Sequence, residues 1–234
     1  MDVDTHVMEA LVFVVIVLVV IAVAGVSFWL KQKRRQGFAL MARQLGMSFS
    51  TADPIGVLGM PFRLFRKGDG RGAENFVHGT WQGCHVALFD FWYYERSSDS
   101  NGRSSKTYYR FQCVVTEIAA ACSPVTIGPE SVLSRIADGL GFDDLQFESE
   151  EFNRRFQVQS GDRKFAYDLV DARMMDWLLG TGGAYSFEAS GKWLLTSCRK
   201  LKPVEIVPLL GRAKGFTDQI PRVVYSLYGL GASG

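Results

Sequence analysis

One unbroken apolar block, ALVFVVIVLVVIAVAGVSFWL from Ala10 to Leu30, constrains this chain more than any other feature. It runs for 21 residues without a charge. At about 1.5 Å per residue a helix of that length spans the roughly 30 Å hydrocarbon core of a bilayer. Eight of its residues are Val and two are Ile, a composition that in water favours strand. Inside lipid, however, every backbone group must be satisfied internally, so a single spanning segment is predicted to be a helix. Its fifteen Val, Leu, Ile and Phe residues favour insertion by on the order of 5 to 9 kcal/mol as an upper bound.

The flanks of the block are asymmetric. Asp2, Asp4 and Glu9 precede it with no Lys or Arg, which does not fit the basic start of a cleaved signal peptide. Lys31, Lys33, Arg34 and Arg35 follow it at once, and basic residues mark the cytoplasmic side of a span. The expectation is a single-pass inner-membrane protein, N-terminus outside and C-terminal domain cytoplasmic. The four basic residues set topology or touch lipid headgroups, each adding about 1 kcal/mol near an anionic surface. Membrane lipids are therefore the first expected partner.

The rest of the chain is ample for one domain. Of the +2 net charge, residues 1–30 carry −3 and residues 31–36 carry +4, so the remainder stands near neutrality and shows no nucleic-acid footprint. Cys84, Cys113, Cys122 and Cys198 are widely spaced, with no zinc pattern, and read as free thiols in a reducing compartment.

Along the chain, GFALMARQLG places Phe38, Met41, Ala42 and Leu45 at helical spacing, so the membrane helix continues into, or is followed by, a short helix. RKGDGRG, Arg66 to Gly72, lacks the spacing of a phosphate loop and reads as a turn-rich loop. NFVHGTW, CHVALFDFWYYE and TYYRFQCVVTE then read as an antiparallel meander. A two-residue turn at Asn101-Gly102 pairs Tyr94 with Tyr109 and Trp92 with Phe111. That register puts Leu88, Trp92, Phe111 and Val115 on a core face. It leaves Phe89, Phe91 and Tyr93 with Arg110 on a mixed face, where a partner protein could stack.

Downstream, a helix over about 129–140 is followed by one or two strands in DLQFESEEFNRRFQVQSG. Asp162 and Asp171 are placed to cap helices, and AYSFEASGKWLLTSC forms two strands about Ser190-Gly191. Pro203 opens a last helix. Meanders with about three helices and no βαβ alternation give an α+β class. The predicted organisation is a tail over 1–9, the transmembrane helix over 10–30, a basic juxtamembrane segment and short helix over 31–46, a cytosolic domain over 47–228 and a flexible tail over 229–234.

DLQFESEEFNRRFQVQSGDRKFAYDLVDARMMDWLL, with GTWQGCHVALFDFWYY before it and IPRVVYSLYG after it, resembles an uncharacterised family of bacterial single-pass membrane proteins, a domain of unknown function. The resemblance covers roughly residues 37 to 229. It implies membrane attachment and a shared cytosolic fold, and it supplies no catalytic residues.

The remaining chemistry is sparse. Asp144, Glu148 and Glu150 read as the solvated face of a strand. A turn at Gln82-Gly83 would set His78 and His85 on one face as diagonal neighbours, the start of a metal site whose third ligand is missing. No G-x-S-x-G or H-E-x-x-H is present, and no cofactor is expected. The leading reading is a membrane-anchored binding or scaffolding module for lipid or a membrane-associated protein. The alternative is an unrecognised membrane-bound enzyme, metal-assisted through His78 and His85.

Overall fold

A computed structural model describes residues 2–98, 102–130 and 143–230. Helix α1, Asp2–Gln44, carries the apolar block and continues without a break through the basic cluster to the folded domain. It is the one helix among the described residues long and apolar enough to cross a membrane, and its most apolar stretch packs against nothing in the chain. Past Leu30 its character changes. Phe38, Met41 and Ala42, at helical spacing, are buried against the sheet.

The domain is a seven-stranded antiparallel sheet with five further described helices, an α+β arrangement as the patterning predicts. Strands β1 (Ser48–Ser50), β2 (Gly70–Trp81), β3 (Cys84–Ser98) and β4 (Ser104–Gly128) form the predicted meander. Beyond it lie β5 (Asp143–Leu145), α2 (Glu150–Arg155), β6 (Gln157–Ser160), α3 (Arg163–Leu169), α4 (Ala172–Gly180), β7 (Ser186–Arg199), α5 (Val207–Gln219) and α6 (Arg222–Tyr228). The long β4 organises the sheet. One edge pairs first with β3 and then with β6, and the other pairs with β7. Register breaks at Glu117 to Cys122 and Cys122 to Val125 let a strand of this length bend between two cores.

On one face of the first half, the segment over 52–69 closes Phe76, Phe89, Phe91, Tyr93 and Phe111 under Val57, Phe62, Leu64 and Phe65. On the opposite face, the end of α1 and the start of α5 cover Val77, Val86, Leu88 and Val114. The second half packs β6 and β7 against α2, α3, α4 and α6.

Several details depart from the sequence reading. β3 and β4 pair Tyr93 with Tyr109 and Phe91 with Phe111, one residue away from the predicted register. Because side chains alternate, that slip exchanges the faces: Phe89, Phe91 and Tyr93 are core, while Trp92 and Tyr94 lie on the opposite face and are half-buried. EEFNRR is helical because the Ser149 side chain accepts from Phe152 N and Glu150 and Glu151 sit in the first turn, where the helix dipole favours acids. SFEASGKWLLTSCR is one strand, with Gly191 at φ 56 opposite Cys122 absorbing a bulge where a hairpin was expected. Asp162 and Asp171 cap α3 and α4 as predicted. The helix expected over about 129–140 falls almost wholly outside the described residues.

Within RKGDGRG, Gly70–Gly72 is strand rather than loop. A Cβ at Gly72 would stand 2.6 Å from the Trp92 ring, and one at Gly70 would stand 2.5 Å from the Tyr94 ring. These glycines let two large aromatics lie across β2.

Candidate functional site, a basic cleft at the end of the apolar helix

The cleft lies between α1 and the hairpin β3–β4. Its volume is about 600 Å³, and Leu30, Lys31, Arg34 and Arg35 of α1 face Glu74 and Asn75 of β2, Trp92 of β3, Tyr108 and Arg110 of β4, and Lys200. Ser27, Leu30, Lys31 and Arg34 share one helical face, and Phe38 continues it into the core. The cleft therefore begins in the last turn of the apolar block. Trp92 and Tyr108, with ring centroids 6.0 Å apart, give it an aromatic wall. The Arg110 guanidinium lies 5.3 Å from the Tyr108 ring.

Arg34 is fixed rather than free. Its Nε donates to Asp90 Oδ2 at 2.6 Å and its Nη2 to Asp90 Oδ1 at 2.5 Å. Its remaining donors reach Gln112 Oε1 at 3.0 Å and the Leu201 carbonyl at 2.8 Å. The Asp90 side chain is 3% exposed, so a desolvated carboxylate is met by the planar two-pronged donor that suits it best. Gln112 donates in turn to the Phe89 carbonyl at 2.8 Å. Asn75, in left-handed conformation at φ 59 beside the bulge of β2, donates from Nδ2 to Asp90 Oδ2 at 2.9 Å.

Lys200 Nζ stands 3.9 Å from Asp90 Oδ2. Burial holds its pKa below the ordinary lysine value, against the pull of Asp90 and aided by the Arg34 charge. Lys31, Arg35 and Arg110 make no ion pair among the described residues. With two acids nearby, Glu74 and Asp90, the cleft keeps an excess of positive charge. Lys33 lies outside this lining, its Nζ 5.0 Å from the Trp29 ring.

His78 and His85 do share a face, as the turn at Gln82-Gly83 predicts: His78 lies opposite Ala87 and His85 opposite Thr80. Both line a second, mainly apolar cavity of about 270 Å³ with Met60, Val115, Trp193 and Glu117. The true register brings Glu117 to this face, a carboxylate that the predicted register withheld. It is paired with Lys192 at 2.8 Å, and no group of three His, Cys, Asp or Glu among the described residues is placed to hold a metal ion.

Of the residues expected on a partner face, Phe89, Phe91 and Tyr93 are 0 to 1% exposed and present no surface. Arg110 lies on the other face and joins the basic cleft. The sequence reading missed Asp90, Asn75, Trp92, Tyr108 and Lys200. A signal existed for the first of these: Asp90 is a lone acid inside an apolar strand, where a carboxylate requires a buried cationic partner.

A solved structure of the mycobacterial trehalose monomycolate transport factor A, TtfA, is similar to this chain, with a TM-score of 0.57 and 14% identity. The match covers 81% of this chain and 95% of that one. At this identity the likeness defines a shared fold, that of a sheet domain found in a transport factor. No protein-family model matches the chain, and no curated protein does.

Proposed function

We propose that this protein is a membrane-anchored cytosolic binding module whose basic cleft takes an anionic lipid headgroup at the inner leaflet, and whose domain serves a membrane-associated partner as accessory or scaffold. The observation that carries the reading is the position of the cleft. Five of its lining residues, Ser27, Leu30, Lys31, Arg34 and Arg35, lie within or just after the last turn of the apolar block, and Arg34 clamps that turn to the sheet through Asp90. With Ser27 and Leu30 at hydrocarbon depth, Lys31, Arg35, Arg110 and Lys200 stand at headgroup level, where cations attract phosphate and Trp and Tyr side chains are favoured. The similar structure is that of a transport factor, which fits an accessory role better than a catalytic one.

The test uses the full chain in detergent, titrated with short-chain phosphatidylglycerol and phosphatidylcholine and read by native mass spectrometry. Preferential, salt-sensitive binding of the anionic lipid, reduced by K31Q/R35Q/R110Q, is expected. Equal binding of both lipids would remove the cleft as an anion site.

A further inference from the structure

We infer that the cleft selects anionic headgroups that carry free hydroxyls, phosphoglycerol and phosphoinositol being the simplest, and that the side-chain oxygen of Asn75 reads the hydroxyl. This rests on the anion-site reading above and adds a specificity to it.

Cations alone cannot discriminate among phosphates, because Lys and Arg only donate. Asn75 lines the same cleft, is 3% exposed and is an acceptor: its Oδ1 is buried and takes no hydrogen bond among the described residues. The orientation of its amide is fixed by chemistry. Nδ2 donates to Asp90 Oδ2, and turning the amide over would set Oδ1 against a carboxylate. The oxygen that remains needs a donor, and an orphaned buried acceptor in a binding cleft is a natural place for one on a ligand. Asn75 also holds a left-handed backbone conformation at a bulge, the kind of strained position that collects at ligand sites.

The identity of the donor follows from the neighbours. An ammonium group would be repelled by Lys31, Arg34, Arg35, Arg110 and Lys200. A neutral hydroxyl meets no such penalty. Trp92 and Tyr108 offer flat apolar surface to the carbon skeleton of a glycerol or inositol unit while the cations hold its phosphate.

The decisive comparison is phosphatidylglycerol against phosphatidylmethanol, which bears the same charge and no hydroxyl. With the full chain in detergent and dioctanoyl lipids, phosphatidylglycerol and phosphatidylinositol should bind more than about tenfold tighter than phosphatidylmethanol, as expected of a site built around a hydroxyl. N75G, which tolerates the left-handed backbone, should bring phosphatidylglycerol down to the level of phosphatidylmethanol in the same variant, abolishing the discrimination between the two lipids. Equal, tight binding of both lipids to the unaltered protein would overturn the hydroxyl inference and leave the anion site standing. Binding of neither above phosphatidylcholine would overturn the anion site itself. Glycerol 1-phosphate and inositol 1-phosphate, added as competitors, separate the sources: weak competition supports the inference with a lipid as ligand, and competition matching the lipids supports it with a soluble polyol phosphate. A misfolded N75G leaves the comparison on the unaltered protein to decide.

Discussion

Arg34 on the membrane helix and Asp90 in the centre of the sheet form a two-pronged ion pair, 2.5 and 2.6 Å long, that joins anchor to domain. With Phe38 and Met41 buried about one and two turns further on, the helix has no hinge where it meets the sheet. The domain is therefore oriented by its anchor. Removing one partner of a buried pair leaves an uncompensated charge and costs about 3 to 5 kcal/mol, whereas replacing both with apolar residues is often neutral. R34M or D90L alone should lower the unfolding midpoint of the full chain in detergent strongly, and R34M/D90L together should recover most of the loss. Equal destabilisation by the double and the single variants would show that the pair is not an energetic unit.

A second buried carboxylate gives a pH dependence. Glu188 accepts from the backbone N–H groups of Arg63 at 2.7 Å and Leu64 at 3.2 Å, tying the covering segment to β7. Burial nevertheless pushes its pKa up from 4.5 to about 7, against those hydrogen bonds and the Arg63 charge. Between these values the folded state holds a proton that the unfolded chain has released, so stability falls as pH rises, by up to about 1.4 kcal/mol per unit. E188Q keeps the shape and removes the titration. Its unfolding midpoint should vary less between pH 4.5 and 7 than that of the unaltered protein; the same slope in both would assign the effect to another group.

Much of this architecture is legible in the sequence because local chemistry decides it. The apolar block, the Asp162 and Asp171 caps and the Gln82-Gly83 hairpin each follow from a few neighbouring residues, and the structure shows all of them as helix, cap or turn. The second hairpin followed as well, but its register did not. Ser98 pairs with Ser104 and Tyr93 with Tyr109, a register one residue away from the one that a two-residue turn at Asn101-Gly102 predicts. With aromatics at every position from Phe91 to Tyr94, either register buries large rings, and hydrophobic patterning could not choose between them. The cleft was hidden for another reason. Arg34 and Asp90 are 56 positions apart, and only the return of the sheet beneath the helix brings them together.

The four thiols should separate by environment. Cys113, Cys122 and Cys198 are buried, which pushes the Cys122 thiol up to about 11, that of Cys198 to about 12, and that of Cys113 well above its ordinary value. Cys84 is partly exposed. Since the thiolate is the reactive form, a thiol reagent at neutral pH should modify Cys84 first, with the other three following only on unfolding. C84S should abolish the fast phase, and a fast phase that survives would mean that one of the buried strands opens readily.

Gly72 tests the aromatic wall. A Cβ there would come 2.6 Å from Trp92 Cζ2, so G72A must displace the ring while leaving the lining charges in place. Lipid binding should weaken several-fold with a modest loss of stability, since a half-buried ring can shift at little cost. Unchanged binding in a variant whose tryptophan fluorescence has moved would show that Trp92 only bounds the cleft.

Orientation in the membrane is decided by charges on either side of the block. Asp2, Asp4 and Glu9 precede it, and Lys31, Lys33, Arg34 and Arg35 follow within six positions, a bias that predicts a cytoplasmic domain. Arg34 sharpens the expectation, because it is bound to Asp90 and would have to carry the folded sheet with it to cross. Ser97, exposed near the end of β3, is a suitable reporter. In a C84S background, S97C should resist a membrane-impermeant maleimide in intact cells and react after lysis. Labelling in intact cells, with a cytosolic thiol control left unmodified, would put the domain outside and withdraw the inner-leaflet setting of the cleft.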